Sequence, residues 1–174
     1  MQNEGKSLSD KEKIRILMVC MGNICRSPTA HAVLRHKLVS AGIADRVLVD
    51  SAGTHAWHRG KPPDARALHH ADLRGYDLSD LRARGVADED FDAFDMILVM
   101  DDDNLAALKK RCPSEHLTKL SRLSAYAVQR RSAVEIPDPY YGGPNGFEHV
   151  LDLVEDACDG LVGHLLRRLG SRIA

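Results

Sequence analysis

The first apolar run along the chain, Ile14-Arg15-Ile16-Leu17-Met18-Val19, has hydrophobic residues on both sides of its alternation. Such a run predicts a strand covered on both faces, the central strand of a parallel sheet. Past Ser27 the period lengthens: Ala30, Val33, Leu34, Leu38 and Ala41 share one helical face, and Gly42 ends the pattern. Ser27 suits the N-cap of that helix, Pro28 its first position and Gly42 its exit. Val47-Leu48-Val49 predicts a second, short strand leading into Asp50-Ser51-Ala52-Gly53. A loop with Trp57, Gly60 and Pro62-Pro63 follows, then a helix from Asp64 that carries Ala67, Leu68 and Ala71 and closes near Gly75. Residues 76–94 are charged and mixed, which predicts loop with a short helical turn.

Met96-Ile97-Leu98-Val99-Met100 is the next strand, and Asp101-Asp102-Asp103 caps a helix whose dipole those carboxylates complement. Pro113 stops that helix, Leu117–Leu120 is a further strand candidate, and Ser121–Glu135 shows no assignable period. The stretch from Ile136 to Gly143 is a loop punctuated by proline and glycine. Phe147, Val150, Leu151, Val154, Cys158, Leu161 and Leu165 recur at helical spacing, so Asn145–Leu169 is a long helix packed on the sheet. Strands alternating with helices predict an α/β fold: a single three-layer domain whose parallel sheet carries helices on both faces. Ligands of such sheets bind at the carboxyl ends of the strands.

Composition narrows the partners. The 174 residues fit one domain, and 24 basic against 25 acidic residues leave a formal net charge of −1, which argues against a nucleic-acid partner. Met1–Lys13 is polar and charged, so it reads as neither signal peptide nor membrane span. It is expected to form a flexible tail ahead of a folded domain over residues 14–174. The cysteines at 20, 25, 112 and 158 are too scattered for a secreted disulfide scaffold and include no Cys-x-x-Cys pair. A cytoplasmic protein without a membrane partner is expected. His55, His58, His69 and His70 lack metal-ligand partners at helix spacing and are expected to be solvated or satisfied, so no metal or cofactor is implied.

The candidate chemistry sits where the first strand meets the first helix, in Cys20-Met21-Gly22-Asn23-Ile24-Cys25-Arg26-Ser27-Pro28. A tight loop between strand and helix N-terminus aims backbone N–H groups and the helix dipole at one spot, where an anion can sit. Cys20 begins the loop, in a field that favours thiolate over thiol. Arg26 adds a planar fork suited to a phosphate. Ser27 can hydrogen-bond the sulfur, and Gly22 and Asn23 are residue types that tolerate the positive φ a tight cradle needs.

This string resembles the signature of the low-molecular-weight protein tyrosine phosphatases, and further matches carry the resemblance from Ile14 into the last helix. The resemblance implies a four-stranded sheet and a phosphatase domain over residues 14–174. It also implies hydrolysis of phosphotyrosine in a protein or peptide through a phospho-cysteine on Cys20. Arg26 and the N–H groups from Met21 to Arg26, through Gly22, Asn23, Ile24 and Cys25, would cradle the phosphoryl group. Asp138-Pro139-Tyr140 matches the family's general-acid loop, in which the Asp protonates the leaving oxygen and then activates water. Tyr140 and Tyr141 resemble its adjacent cleft tyrosines, and Trp57 the aromatic of the opposite wall. Cys25 matches the cysteine that can close a protective disulfide with the nucleophile under oxidants.

Ser27 and Ser51 look like the serines that hold the strained Asn23. The histidine that helps them precedes an x-Ala-Arg motif, and Leu81-Arg82-Ala83-Arg84 puts Leu81 there. That departure predicts a small loss of loop rigidity. Asp64 and Asp101 match family segments in which each is expected to cap a helix, with Asp101 and Asn104 at the cleft edge. A monomer or weak self-association is expected. Alternatives on the same fold are an arsenate reductase, which needs resolving cysteines that residues 76–94 lack, and a protein-arginine phosphatase, whose relatives carry Thr at the place of Ile24. A non-catalytic phosphate-binding module is the alternative from another class.

Overall fold

The computed structural model describes residues 12–173. Its axis is strand β1 (Ile14–Cys20), which pairs in parallel with β2 (Val47–Gly53) on one side and β3 (Met96–Val99) on the other. Strand β4 (Leu120–Arg122) pairs in parallel with β3, so the sheet runs β2-β1-β3-β4. Side chains alternate across a strand, and the two faces of β1 accordingly feed two cores. Ile14, Ile16, Met18 and Cys20 pack with helices α1 (Arg26–Ser40), α2 (Ala65–Leu73) and α5 (Pro144–Ile173). Leu17 and Val19 pack with Phe91 and Leu108 of the short helices α3 (Asp90–Ala93) and α4 (Asp102–Lys109). Each fully buried Leu, Ile or Met contributes roughly 1.5–3 kcal/mol, which accounts for the central place of a strand apolar on both faces.

Charge links the layers on the α5 side. Arg74, just past α2, reaches Glu148, Asp152 and Glu155 on successive turns of α5, at 2.5, 3.0 and 2.6 Å. Further along α5, a Cβ at Gly160 would collide with the Tyr126 carbonyl oxygen. A bare backbone there lets α5 pass against the 3₁₀ turn Leu123–Tyr126.

The expected α/β fold with helices on both faces of a four-stranded parallel sheet is the observed one. Four local expectations are corrected. Helix α1 begins at Arg26 with Cys25 as N-cap, not at Pro28 after Ser27, because the Ser27 hydroxyl is engaged by the preceding loop. The stretch proposed as a strand at Leu117–Leu120 is a 3₁₀ turn, Ser114–Lys119, started by Pro113, and β4 follows it at Leu120–Arg122. The positive-φ residue of the first loop is Asn23 alone, at +56°, and Gly22 is not among the positive-φ glycines. The last helix begins at Pro144, one residue early, and runs on to Ile173. The tail expectation falls mainly on residues 1–11, which lie outside the described residues.

Candidate active site

Cys20 ends β1 and Arg26 opens α1, so residues 21–25 must turn within a few ångströms of the sheet edge. Gly53, the register partner of Cys20 on β2, permits this turn. A Cβ there would lie 2.7 Å from the carbonyl oxygens of both Met21 and His55, so only glycine lets the backbones approach. The loop is tied from within by a chain of side chains. The Asn23 amide donates to Ser27 Oγ at 2.7 Å, and Ser27 Oγ lies 3.0 Å from Cys20 Sγ and 3.4 Å from the Ala52 carbonyl. With its lone pair engaged by Asn23, the hydroxyl keeps its proton for the sulfur or the carbonyl. Asn23 Oδ1 accepts from the Arg84 backbone N–H at 3.0 Å. The Arg84 guanidinium is itself held by Asp50 and Asp90, at 3.0 and 2.8 Å.

Both ends of the Asn23 side chain are therefore engaged without a histidine at 81, where Leu81 joins the apolar core. The expected loosening of the loop finds no unpaired group to act through. Ser51 is turned elsewhere than expected: its hydroxyl meets the Nδ1 of His31, on α1, at 3.1 Å, not Asn23. Burial, followed by the charge of Arg35, pushes the His31 pKa down to about 4, so this imidazole is neutral.

Arg26 is 1% exposed, and a buried cation demands partners. Its Nη1 donates to Asp101 Oδ2 at 2.5 Å and to the Ile136 carbonyl at 3.0 Å, while Nη2 lies 3.7 Å from Asp138 Oδ2. Burial works against the charge, but Cys20, Asp101 and Asp138 outweigh it and raise the guanidinium pKa. Asp101 serves two ends at once, since it also caps α4 in a reciprocal capping box with Asn104.

Cys20, Arg26 and Asp138 line one cleft of about 230 Å³. Cys20 and the loop from Met21 to Arg26 form its floor, with Asn23 tucked behind. Asp138, Tyr140 and Tyr141 form one wall, and Trp57 and His58 the other. Asp138 Oδ1 accepts from the Tyr140 N–H at 3.1 Å, which turns the loop between its two prolines. Arg66 lies 5.4 Å from the Tyr140 ring centre and 4.8 Å from that of Phe147, and a two-point ion pair to Asp64 steadies it. Asp64 also caps α2, and the hydrogen bond from Arg66 holds its carboxyl below the ordinary range despite partial burial. Trp57 stacks on His55 at 4.1 Å and stays 64% exposed.

The structure thus brings Cys20, Arg26, Asp138, Trp57, Tyr140 and Tyr141 to one cleft; Asn23 and Ser27 brace its floor from behind, Asp101 and Asn104 do not line it, and Ser51 lies behind it. The reading from sequence missed His58 on the wall, His31 behind the loop, and Arg84 as the donor to Asn23. His58 follows Trp57 directly, and Arg84 ends the x-Ala-Arg motif, so both lay within reach of the pattern. Among the described residues no group of three or more His, Cys, Asp or Glu side chains could hold a metal ion. Cys20 and Cys25 are both free thiols; burial, then Asp64, Cys20 and Asp138, push the Cys25 thiol strongly up. No helix of the described residues is long and apolar enough to cross a membrane.

Comparison with known proteins places this geometry among relatives. A family model described as low molecular weight phosphotyrosine protein phosphatase matches residues 15–171. A Streptomyces coelicolor protein named low molecular weight protein-tyrosine-phosphatase is 38% identical over 162 residues, covering 92% of this chain and 98% of its own. The crystal structure of a protein tyrosine phosphatase from Entamoeba histolytica, with Hepes in its active site, superposes with a TM-score of 0.86. It is 39% identical and covers 89% of this chain and 98% of that one. A Drosophila arginine phosphatase superposes with a TM-score of 0.80 at 31% identity, covering 87% of this chain and 98% of its own.

Proposed function

The chain belongs to the low molecular weight phosphotyrosine protein phosphatase family and is a phosphoric monoester hydrolase, and from that premise we propose that it hydrolyses phosphotyrosine in proteins through Cys20, Arg26 and Asp138. The observation that carries this reading is the convergence of the three side chains on one cleft: Cys20 Sγ at its floor, Arg26 beneath it, and Asp138 Oδ2 3.7 Å from the guanidinium.

In the first step the Cys20 thiolate attacks phosphorus and the bond from phosphorus to the tyrosine oxygen breaks. Asp138 gives its proton to the departing phenoxide. In the second step a water attacks phosphorus, the sulfur–phosphorus bond breaks, and Asp138 takes the water's proton. Ser27, within 3.0 Å of the sulfur, supplies a proton contact that stabilises the departing thiolate. The loop amides and Arg26 meet the charge on the equatorial oxygens in both steps, in a place already built for it. Arg26 is oriented for this by Asp101 and the Ile136 carbonyl, which occupy Nη1 and leave Nη2 towards the cleft.

Trp57 on one wall and Tyr140 with Tyr141 on the other suit a phenyl ring held between aromatic faces. They favour the deep-reaching tyrosine phosphate over the shorter serine phosphate. Ile24, which lines the floor, supports phosphotyrosine over phosphoarginine, although the likeness to an arginine phosphatase means the fold alone does not separate them. The free Cys20 and Cys25 thiols share the loop, which supports a protective disulfide between them. The test is kcat/KM on phosphotyrosine, phosphoarginine and phosphoserine peptides. Phosphotyrosine should lead, Cys20→Ser should abolish turnover, and Asp138→Ala should lower it by about 10²–10⁴-fold on the phenolic substrate. An Asp138→Ala enzyme with unchanged rate on a poor leaving group would remove Asp138 from the mechanism.

A further inference from the structure

The wall that carries Trp57 and His58 is stiff. Its first residues are stitched to the floor, Thr54 N–H to the Cys20 carbonyl at 2.9 Å and His55 N–H to the Met21 carbonyl at 3.0 Å. Its middle is stitched to Ala83, through Gly60 N–H at 2.8 Å and the Lys61 carbonyl at 2.9 Å. Its far end returns to the floor by Asp64 N–H to the Ile24 carbonyl at 2.8 Å. The backbone of this wall is therefore held in place, with Trp57 and His58 lining the cleft and Arg59 and Lys61 close after them in the chain.

The wall's one carboxylate, Asp64 at its far end, is taken up by its ion pair with Arg66. Between Ser51 and Pro63 there is no Asp or Glu, while Arg59 and Lys61 follow His58 directly and at three residues' distance. Both are exposed. Several other arginines are engaged by carboxylates, as Arg35 is by Asp80, Arg84 by Asp50 and Asp90, and Arg122 by Asp102. Among the described residues Arg59 and Lys61 have no carboxylate partner. On the opposite wall the charge is that of Asp138, and Pro139 to Asn145 carry none. In a chain of net charge −1, this is a local cationic strip and not a general basicity.

We propose that the strip formed by Arg59 and Lys61 binds acidic side chains flanking the phosphotyrosine, so that acidic phosphopeptides are the preferred substrate class. The proposal rests on the phosphotyrosine-hydrolase reading above and names the substrate of that same site. An extended peptide advances about 3.3–3.6 Å per residue, so residues one to three positions from the phosphotyrosine pass over the cleft rim. Charges at that range lie within a screening length of roughly 8–10 Å at ordinary salt. Exposed ion pairs are individually weak, and their effect is on binding and encounter more than on the chemical step.

The test compares phosphotyrosine peptides of equal length with Asp/Glu, Ala or Lys at the flanking positions, beside para-nitrophenyl phosphate, which has no flanks. For the wild-type chain kcat/KM should favour the acidic over the alanine peptide by roughly fivefold at low salt, mainly through KM, and the ratio should approach one near 0.3 M salt. Arg59→Ala with Lys61→Ala should bring the acidic-to-alanine ratio to within about twofold at low salt. Arg59→Glu with Lys61→Glu should turn the preference towards the lysine peptide, an inversion that general damage to the fold does not produce. Equal rates on the three peptides, with para-nitrophenyl phosphate still turned over, overturn the docking strip and leave the hydrolase reading standing. Failure to turn over any of the four substrates overturns the hydrolase reading itself.

Discussion

His31 of α1 and Ser51 of β2 face each other across the buried layer behind the cleft, Nδ1 to Oγ, at 3.1 Å. The pair lies one turn of helix beyond Ser27 and one residue before Ala52, whose carbonyl is in reach of the Ser27 hydroxyl. An imidazole thus meets this serine from the helix side, while the position expected to supply it, Leu81, is apolar core.

The His31 environment sets a pH dependence of stability. Its folded pKa, about 4, lies below the unfolded value near 6.5, so between those values the unfolded chain binds the extra proton. The contribution is present in full above the unfolded value and lost as pH falls towards 4. It amounts to on the order of 3 kcal/mol. Denaturant midpoints from pH 7 to pH 4 should fall more steeply for wild type than for His31→Gln, which should be the less stable of the two at pH 7. Parallel curves would show that another group governs the acid limb.

Asn23 combines a φ of +56° with bonds at both ends of its amide. Asn23→Ala should cost about 1–3 kcal/mol and lower para-nitrophenyl phosphate turnover. Asn23→Gly relieves the backbone but restores neither bond. If denaturation shows Asn23→Gly regaining most of the stability while turnover stays low, strain and positioning are separate contributions. Wild-type turnover in Asn23→Gly would dismiss the positioning role.

Asp101→Asn keeps a good N-cap for α4 and removes the carboxylate facing Arg26. A buried guanidinium left short of compensation should cost about 1–3 kcal/mol and about tenfold or more in kcat/KM. Helical circular dichroism should be retained. An unchanged kcat/KM would mean that Asp101 acts only as a cap.

Cys25 should decide the outcome of peroxide treatment. Peroxide should oxidise the Cys20 sulfur to a sulfenic acid, and attack by Cys25 should then form the disulfide and release water. Activity of the wild type should return on adding thiol, while Cys25→Ser should lose it irreversibly. Equal irreversible loss in the two proteins would dispose of the protective disulfide.

Gly160→Ala would drive a methyl into the Tyr126 carbonyl. Because the nearest obstacle is the Tyr126 backbone, the substitution should destabilise by about 1–3 kcal/mol or more and leave the KM for para-nitrophenyl phosphate near wild type. A thermal midpoint equal to wild type would show that α5 can shift away from the turn.

The strand at Ile14, the loop from Cys20 to Pro28, the cap at Asp101 and the long last helix were all legible in the chain itself, because each rests on local pattern. Apolar period and turn chemistry act within a few residues, and the Cys20 signature is contiguous. The same limits explain the misjudged details. Ser27 looks like an N-cap until the sulfur and Asn23 claim its hydroxyl, and Leu117 looks like strand until Pro113 starts a 3₁₀ turn before it. Only the tertiary structure could pair Arg26 with Asp101, 75 residues on, or show that Arg84 donates to Asn23 and His31 to or from Ser51. Those contacts depend on strand register and on which helix face turns inward, and neither leaves a local trace in the order of residues. The Cys20–Pro28 loop is a property of the sequence, and its bracing is a property of the fold.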